Sequence, residues 1–286
     1  MKFAVIGGDK RSVLLTTLLL RDGHRVTTFA MEKASLPAEI PKSGSLQSCA
    51  YGADCIVLPV PAETGGIISA PYAAEPLTAD SILPALWSGQ IVCGGKLSEP
   101  FCAQCALAGI HTEDILRRSE FAAGNAALTA EGAIELLLRH SERSLMKSRV
   151  LIVGFGRIGK LLAVKLSALG AGLSVCARSG SDRGLAKAMG FDPLDYSMLE
   201  GELGDFDFIV NTVPARVLSD AMLCCISGHA VLLELASPPG GFDRTLAGNI
   251  GLNALAAPGL PGKTSPYSAA ELIRDAVYAA IHEQEE

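Results

Sequence analysis

The stretch Val150–Leu166, VLIVGFGRIGKLLAVKL, decides the fold. An unbroken apolar run, Val150–Val153, stops at Gly154-Phe155-Gly156-Arg157-Ile158-Gly159, after which apolar residues recur at helical spacing. The run predicts a strand covered on both faces, and the residues after the glycines predict an amphipathic helix. A GxGxxG pattern is weak evidence alone, but between a strand and a helix it predicts a dinucleotide site. Gly154 permits the tight turn, Gly156 lets the backbone approach a pyrophosphate, and Gly159 lets helix and strand pack closely. The helix start at Arg157 and Ile158 supplies free amides and a favourable dipole for phosphate. The competing reading is a tight turn that binds nothing.

The next strand, Leu173–Ala177, runs into Arg178-Ser179-Gly180-Ser181. A site that prefers NAD places an acid near this strand end to hold the ribose hydroxyls. Arg178 can instead pair with a 2′-phosphate through its planar fork, with hydroxyls from Ser179 and Ser181. The expected cofactor is NADP, with NAD possible if Arg178 is only a solvated surface residue. Ligands on such sheets lie beyond the carboxyl ends of the strands. Thr212-Val213-Pro214, after the strand Phe208–Asn211, and Leu235-Ala236, after the strand Ala230–Glu234, are therefore expected to flank the cofactor. The loop Ala257–Pro266 should end in the same region.

Strand-like and helix-like stretches alternate over nearly the whole chain, the pattern of parallel sheets covered by helices. Further strands are expected at Phe3–Ile6, Arg25–Ala30, Cys55–Pro59, Gln90–Cys93 and Leu252–Ala256. The pattern divides into two Rossmann-like, doubly wound α/β domains. The first spans 1–120, a linking helix 121–148, and the dinucleotide-binding domain 149–266. Within the linker, Ile134, Leu137 and Leu138 share one helical face, with Glu135, Arg139 and Glu142 opposite. Thr129 suits a helix N-cap and Glu131 a first-turn acid. Ser268-Ala269-Ala270-Glu271 matches a capping box, and apolar residues from Leu272 to Ile281 then form a stripe. This last helix, 267–284, is expected to pack back on the first domain.

The 286 residues are 49% hydrophobic and 19% charged, enough for a large core. The formal net charge is −6, which argues against a nucleic-acid footprint. No apolar run reaches membrane-spanning length and the N-terminus reads as a buried strand, so a cytoplasmic protein is expected. Eight cysteines include Cys102-Ala103-Gln104-Cys105. A zinc site would want a second such pair at suitable spacing, and Cys224-Cys225 is not one. The pair falls inside an expected helix, Pro100–Ala108, so both are read as small packing residues and no metal is expected.

The two-domain frame resembles the D-2-hydroxyacid dehydrogenases, but their active-site Arg and His are missing. Ala236-Ser237-Pro238-Pro239 and Ala257–Pro261 stand where those residues would be. A closer resemblance is to the dipicolinate synthase A family of endospore-forming bacteria. It is carried by VIGGDKR (Val5–Arg11), IVLPVPAETGG (Ile56–Gly66), NAALTAEGAIELLL (Asn125–Leu138), VGFGRIGKLLA (Val153–Ala163), CARSGS (Cys176–Ser181), VNTVPA (Val210–Ala215) and LASPPGGFD with LAAPGLPGKTSPYSAAELI (from Leu235 to Ile273). The resemblance implies NADP-dependent oxidation of a dihydrodipicolinate-type precursor of the lysine pathway to pyridine-2,6-dicarboxylate. It also implies a flavoprotein-like partner, dipicolinate synthase B, and a homodimer is plausible.

That chemistry needs a hydride acceptor, a proton acceptor and groups that hold two carboxylates. Arg11 is the favoured carboxylate ligand, weighed evenly against a role as partner of Asp9. Asn125 and Thr129 are candidate substrate contacts and Glu131 a candidate base, against their plain roles in opening the helix. Lys96 is a further candidate cation. Two alternatives stand beside this reading: another NADP-dependent dehydrogenase on the same frame, and a non-catalytic NADP-binding subunit that organises a partner.

Overall fold

The short apolar runs become the inner strands of two parallel sheets, and the polar stretches between them supply helices and loops. The computed structural model describes residues 1–285. The chain separates into two units, Met1–Asn125 together with the segment from Ser265 onward, and Ala126–Thr264.

The first unit runs β1 (Lys2–Ile6), α1 (Lys10–Arg21), β2 (Arg25–Phe29), α2 (Leu46–Ala50), β3 (Cys55–Val57), a small hairpin β4 (Glu63–Thr64) and β5 (Ile67–Ile68), β6 (Ile91–Gly94), α3 (Glu99–Leu107) and β7 (His111–Asp114). Its parallel sheet has the order β2-β1-β3-β6-β7, the doubly wound order of flavodoxin-like folds. The hairpin turn at Gly65-Gly66 has positive φ at both positions, which glycine adopts without strain.

The helix α4 (Ser119–Arg139) leads from the first unit into the second. The second unit continues with β8 (Arg149–Val153), α5 (Arg157–Ala168), β9 (Gly172–Cys176), α6 (Gly180–Ala188), β10 (Asp192–Leu194), α7 (Leu199–Glu202), β11 (Phe208–Asn211), α8 (Asp220–Cys224), β12 (Val231–Glu234), α9 (Arg244–Asn249), β13 (Asn253–Ala256) and α10 (Leu260–Thr264). Its order is β10-β9-β8-β11-β12-β13, that of a full Rossmann sheet. The order in which strands are added reverses between the parallel neighbours β8 and β11, and ligands on such sheets bind beyond the strand ends at that switch point. Ala130, Ala133 and Leu137 of α4 pack with Val150, Ile152, Leu162 and Leu166 in this unit's core.

The last helix, α11 (Pro266–Glu285), returns to the first unit. Ala270, Ile273, Val277 and Ile281 are buried there against Phe3, Leu15 and Leu19. Ile273, Val277 and Ile281 each contribute about 1.5–3 kcal/mol when fully buried, so the expected apolar stripe is real packing surface.

Several local expectations need correction. The linking helix starts at Ser119 and ends at Arg139, not at 121 and 148. Thr129 is therefore a buried mid-helix residue rather than an N-cap, and Glu131 is not in the first turn. The local cap signal was outweighed by a helix already running through Ala122-Ala123. The Ser268 capping box does not form, because Pro266, a good first helical residue, opens the helix two residues earlier. The edge strands β7 and β10 were not anticipated. One is polar throughout and the other contains Pro193, which only an edge tolerates.

Candidate functional site

The three glycines of the Val150–Leu166 stretch face three different surroundings. Gly154 has φ near +99°, and a Cβ there would lie 2.4 Å from Thr212 Oγ1 and 2.7 Å from Val213 Cγ2. Gly159 is closed by backbone: a Cβ would lie 2.2 Å from the carbonyl oxygen of Gly154. Gly156 is the N-cap of α5, yet nothing of the protein lies within 4 Å of where its Cβ would be. The chain's own packing explains Gly154 and Gly159. Open space beside Gly156, at the start of a long helix, is what close approach of a phosphate requires. The residues present therefore fit a dinucleotide. Arg157 is exposed and Ile158 half-buried beside this opening.

The neighbouring strand end is braced from below. Arg178 and Ser179 are exposed after β9. Ser179 Oγ accepts hydrogen bonds from the amides of Ser181 and Asp182 and so caps α6. The two hydroxyls of Ser179 and Ser181 are 2.6 Å apart. Arg183, which sequence reading passed over, donates to the carbonyls of Ala177 and Arg178 at 2.8 and 2.9 Å and pairs with Asp195 at 2.8 Å. It leaves the Arg178 side chain to solvent while fixing its backbone. Burial pushes the Tyr196 phenol up to about 12, and the positive charge of Arg178 opposes that shift, so the two groups share this corner.

The ends of β11 and β12 are joined by side chains that sequence reading also missed. Asn211 and Glu234 are direct partners in the strand register and both are buried. Asn211 Nδ2 donates to Glu234 Oε1 at 2.7 Å and to the carbonyl of Val213 at 2.9 Å, and Asn211 Oδ1 accepts from the Val213 amide at 3.2 Å. Glu234 also accepts from the amides of Ala236 at 2.9 Å and Gly241 at 2.6 Å. Thr212 Oγ1 donates to the carbonyl of Val153 at 3.0 Å. Thr212, Val213 and Leu235-Ala236 are thus held as fixed loops at the carboxyl ends of the strands, and Pro214 is exposed. Polar residues closing two adjacent apolar strands were the available signal.

The candidate substrate residues are already engaged. Arg11 pairs with Asp9 at 2.8 Å, its Nε also donating to Asp9, and donates to the carbonyl of Val60. Glu131 is exposed and pairs with Lys165 at 2.9 Å. Asn125 and Thr129 lie within α4, and Lys96 is in a left-handed turn with φ near +57°. Cys102 and Cys105 lie in α3, where burial raises the Cys105 thiol to about 11, the state of an inert packing residue. Among the described residues no group of His, Cys, Asp or Glu side chains is arranged to hold a metal, and no helix is long and apolar enough to cross a membrane.

Residues 2–116 match the family model of the dipicolinate synthase A N-terminal domain. Dipicolinate synthase A of Bacillus subtilis (strain 168) is 28% identical over 286 residues, covering 99% of this chain and 96% of that protein. The chain resembles dipicolinate synthase A along its whole length. The solved structure of that protein from Bacillus subtilis aligns with a TM-score of 0.85 at 29% identity, covering 100% of this chain and 98% of the other. The structure from Bacillus halodurans gives 0.85 at 26% identity, covering 98% and 97%. Residues 115–224 match the NAD-binding domain of D-isomer specific 2-hydroxyacid dehydrogenases. The second unit is accordingly a nicotinamide-dinucleotide domain of the kind found in dehydrogenases, a match that supports an oxidoreductase.

Proposed function

We propose that the chain is an NADP-dependent dehydrogenase that oxidises a dihydrodipicolinate-type ring to pyridine-2,6-dicarboxylate, supplying dipicolinate to the endospore from the cytoplasm. The observation that carries the reading is the open glycine turn at Gly156 within a chain that resembles dipicolinate synthase A from end to end. In the proposed reaction, one ring C–H bond gives its hydride to the cofactor and a neighbouring position gives a proton to a base or to water. Gain of aromaticity supplies driving force, so the protein's task is to hold ring against nicotinamide.

The backbone amides of Arg157, Ile158 and Gly159 hold the pyrophosphate in this proposal. Arg178, with Ser179, takes the 2′-phosphate. Thr212, Val213, Pro214, Leu235 and Ala236 flank the ribose and nicotinamide. Arg11, Asn125 and Thr129 are assigned to the substrate carboxylates and Glu131 to the proton. The Asp9 contact keeps the Arg11 fork pointed and leaves its remaining donors to share with a carboxylate.

The test mixes purified chain with NADP⁺ and freshly made precursor and follows NADPH formation, with and without the flavoprotein-like dipicolinate synthase B. Reduction by the chain alone supports the proposal. The pairing of Arg11 with Asp9 and of Glu131 with Lys165 favours one second reading, a dinucleotide-binding subunit whose partner does the chemistry. Turnover only in the presence of dipicolinate synthase B is the result that selects it.

A further inference from the structure

Glu234 is a buried carboxylate that meets no cation. It is 4% exposed, and its three partners, Asn211 Nδ2 and the amides of Ala236 and Gly241, are all neutral N–H donors. Among the described residues no Lys, Arg or His lies within ion-pair distance of it. Burying a carboxylate without a counter-charge is costly. Both of its oxygens accept from N–H donors, Oε1 from Asn211 and Ala236 and Oε2 from Gly241, which the ionised acid does and a glutamine, with one acceptor oxygen, does only in part.

The surroundings are shaped to keep the acid in place. A Cβ at Gly241 would lie 2.3 Å from Asn211 Nδ2, and one at Gly240 would lie 3.0 Å from Glu234 Oε2. Asn211 in turn clips the Val213 backbone on both its donor and acceptor sides. The carboxylate therefore sits at a fixed place at the carboxyl ends of β11 and β12. This is the side of the switch point on which the nicotinamide half of a dinucleotide lies.

We infer that Glu234 is a fixed negative charge that makes the site favour the oxidised, cationic nicotinamide over the reduced, neutral ring. The inference rests on the dinucleotide reading of the second unit. The adenosine and phosphates are the same in both redox forms, so the difference in their affinities arises at the nicotinamide ring, which is cationic in one form and neutral in the other. A charge held in a partly dry interior acts on that difference over several ångströms. Asn211 is a positioning residue here, since it acts by holding Glu234 and the 212–214 turn.

The experiment measures Kd for NADP⁺ and NADPH, and for NAD⁺ and NADH, on the full chain and on E234Q and E234D, without turnover. For wild type, the oxidised form of the preferred pair binds at least as tightly as the reduced form. In E234Q the preference for the oxidised form falls about tenfold, the size of one screened charge interaction. In E234D both forms weaken together and their ratio stays near wild type, because the charge remains while the loop loosens. A purely structural Glu234 would shift both forms equally in E234Q, and that result overturns the inference. A wild type that prefers the reduced form tenfold or more also overturns it, and this arm needs no variant to fold. Failure of all four dinucleotides to bind wild type would instead remove the dinucleotide reading itself.

Discussion

Gly156 and Gly159 make opposite demands, and alanine at each should separate cofactor binding from folding. A Cβ at Gly156 meets no protein atom, so Gly156→Ala should cost the fold only about 0.5–1 kcal/mol as an N-cap change. Dinucleotide affinity should nevertheless collapse, as read by titration beside a melting curve. At Gly159 the added carbon meets the Gly154 carbonyl at 2.2 Å, so Gly159→Ala should lower both Tm and affinity. Equal loss of Tm in the two variants would contradict this division. Arg178→Ala should weaken NADP roughly tenfold and leave NAD unchanged, because only the 2′-phosphate needs the guanidinium. A wild type that binds both cofactors equally would sink the NADP assignment. At this scale the glycine turn was legible because glycine spacing encodes backbone geometry directly. Asn211, Arg183 and Glu234 were not, because their partners lie on other strands and loops far along the chain.

The elements explain which parts of the fold the residues announce. Inner strands such as β8 and β11 are continuous apolar runs and end within a residue of where the pattern places them. Two of the four edge strands of the parallel sheets lack that pattern, β7 because it is polar throughout and β10 because it carries Pro193, so these two are silent in sequence. Helix starts were misplaced at Thr129 and Ser268 because a short cap motif competes with the propensity of the residues before it. The helix α11 also carries a pH-dependent tie. Arg118 donates to Glu283 at 3.0 Å and pairs with Glu113 and Glu120. The Arg118 contact holds the Glu283 carboxyl below its ordinary range. A depressed carboxyl contributes stability above its unfolded-state pKa and loses it as pH falls through the folded value. Arg118→Met should therefore lower Tm at pH 7, with the deficit shrinking below about pH 4. Glu283 is exposed, so the effect should be modest and fade in high salt. A deficit that does not change with pH would show that Arg118 acts by packing alone.

At the scale of the whole molecule, the glycine turns after the first strands of the two Rossmann-like sheets differ: the one at Gly156 opens onto free space. In the first unit the equivalent turn is filled by its own chain. Gly8 donates its amide to the Ser69 carbonyl at 2.8 Å, and a Cβ at Gly7 would lie 3.0 Å from that of Ala70. Calorimetric titration should accordingly give one dinucleotide per chain; two would contradict it. Hydrogen exchange should slow at 154–159, 178–181, 212–214 and 235–241 on cofactor addition, and not at 7–9. The return of α11 to the first unit has a further consequence for how the protein is made. The ribosome releases residues 1–125 long before Ile273, Val277 and Ile281, which cover Phe3, Leu15 and Leu19, have been synthesised. The second unit has its full complement of strands while the first still waits with a bare apolar face. During translation the nascent first half is thus the segment exposed to chaperones and aggregation, and a premature stop before Ile273 leaves the unit that began first without the side chains that close it.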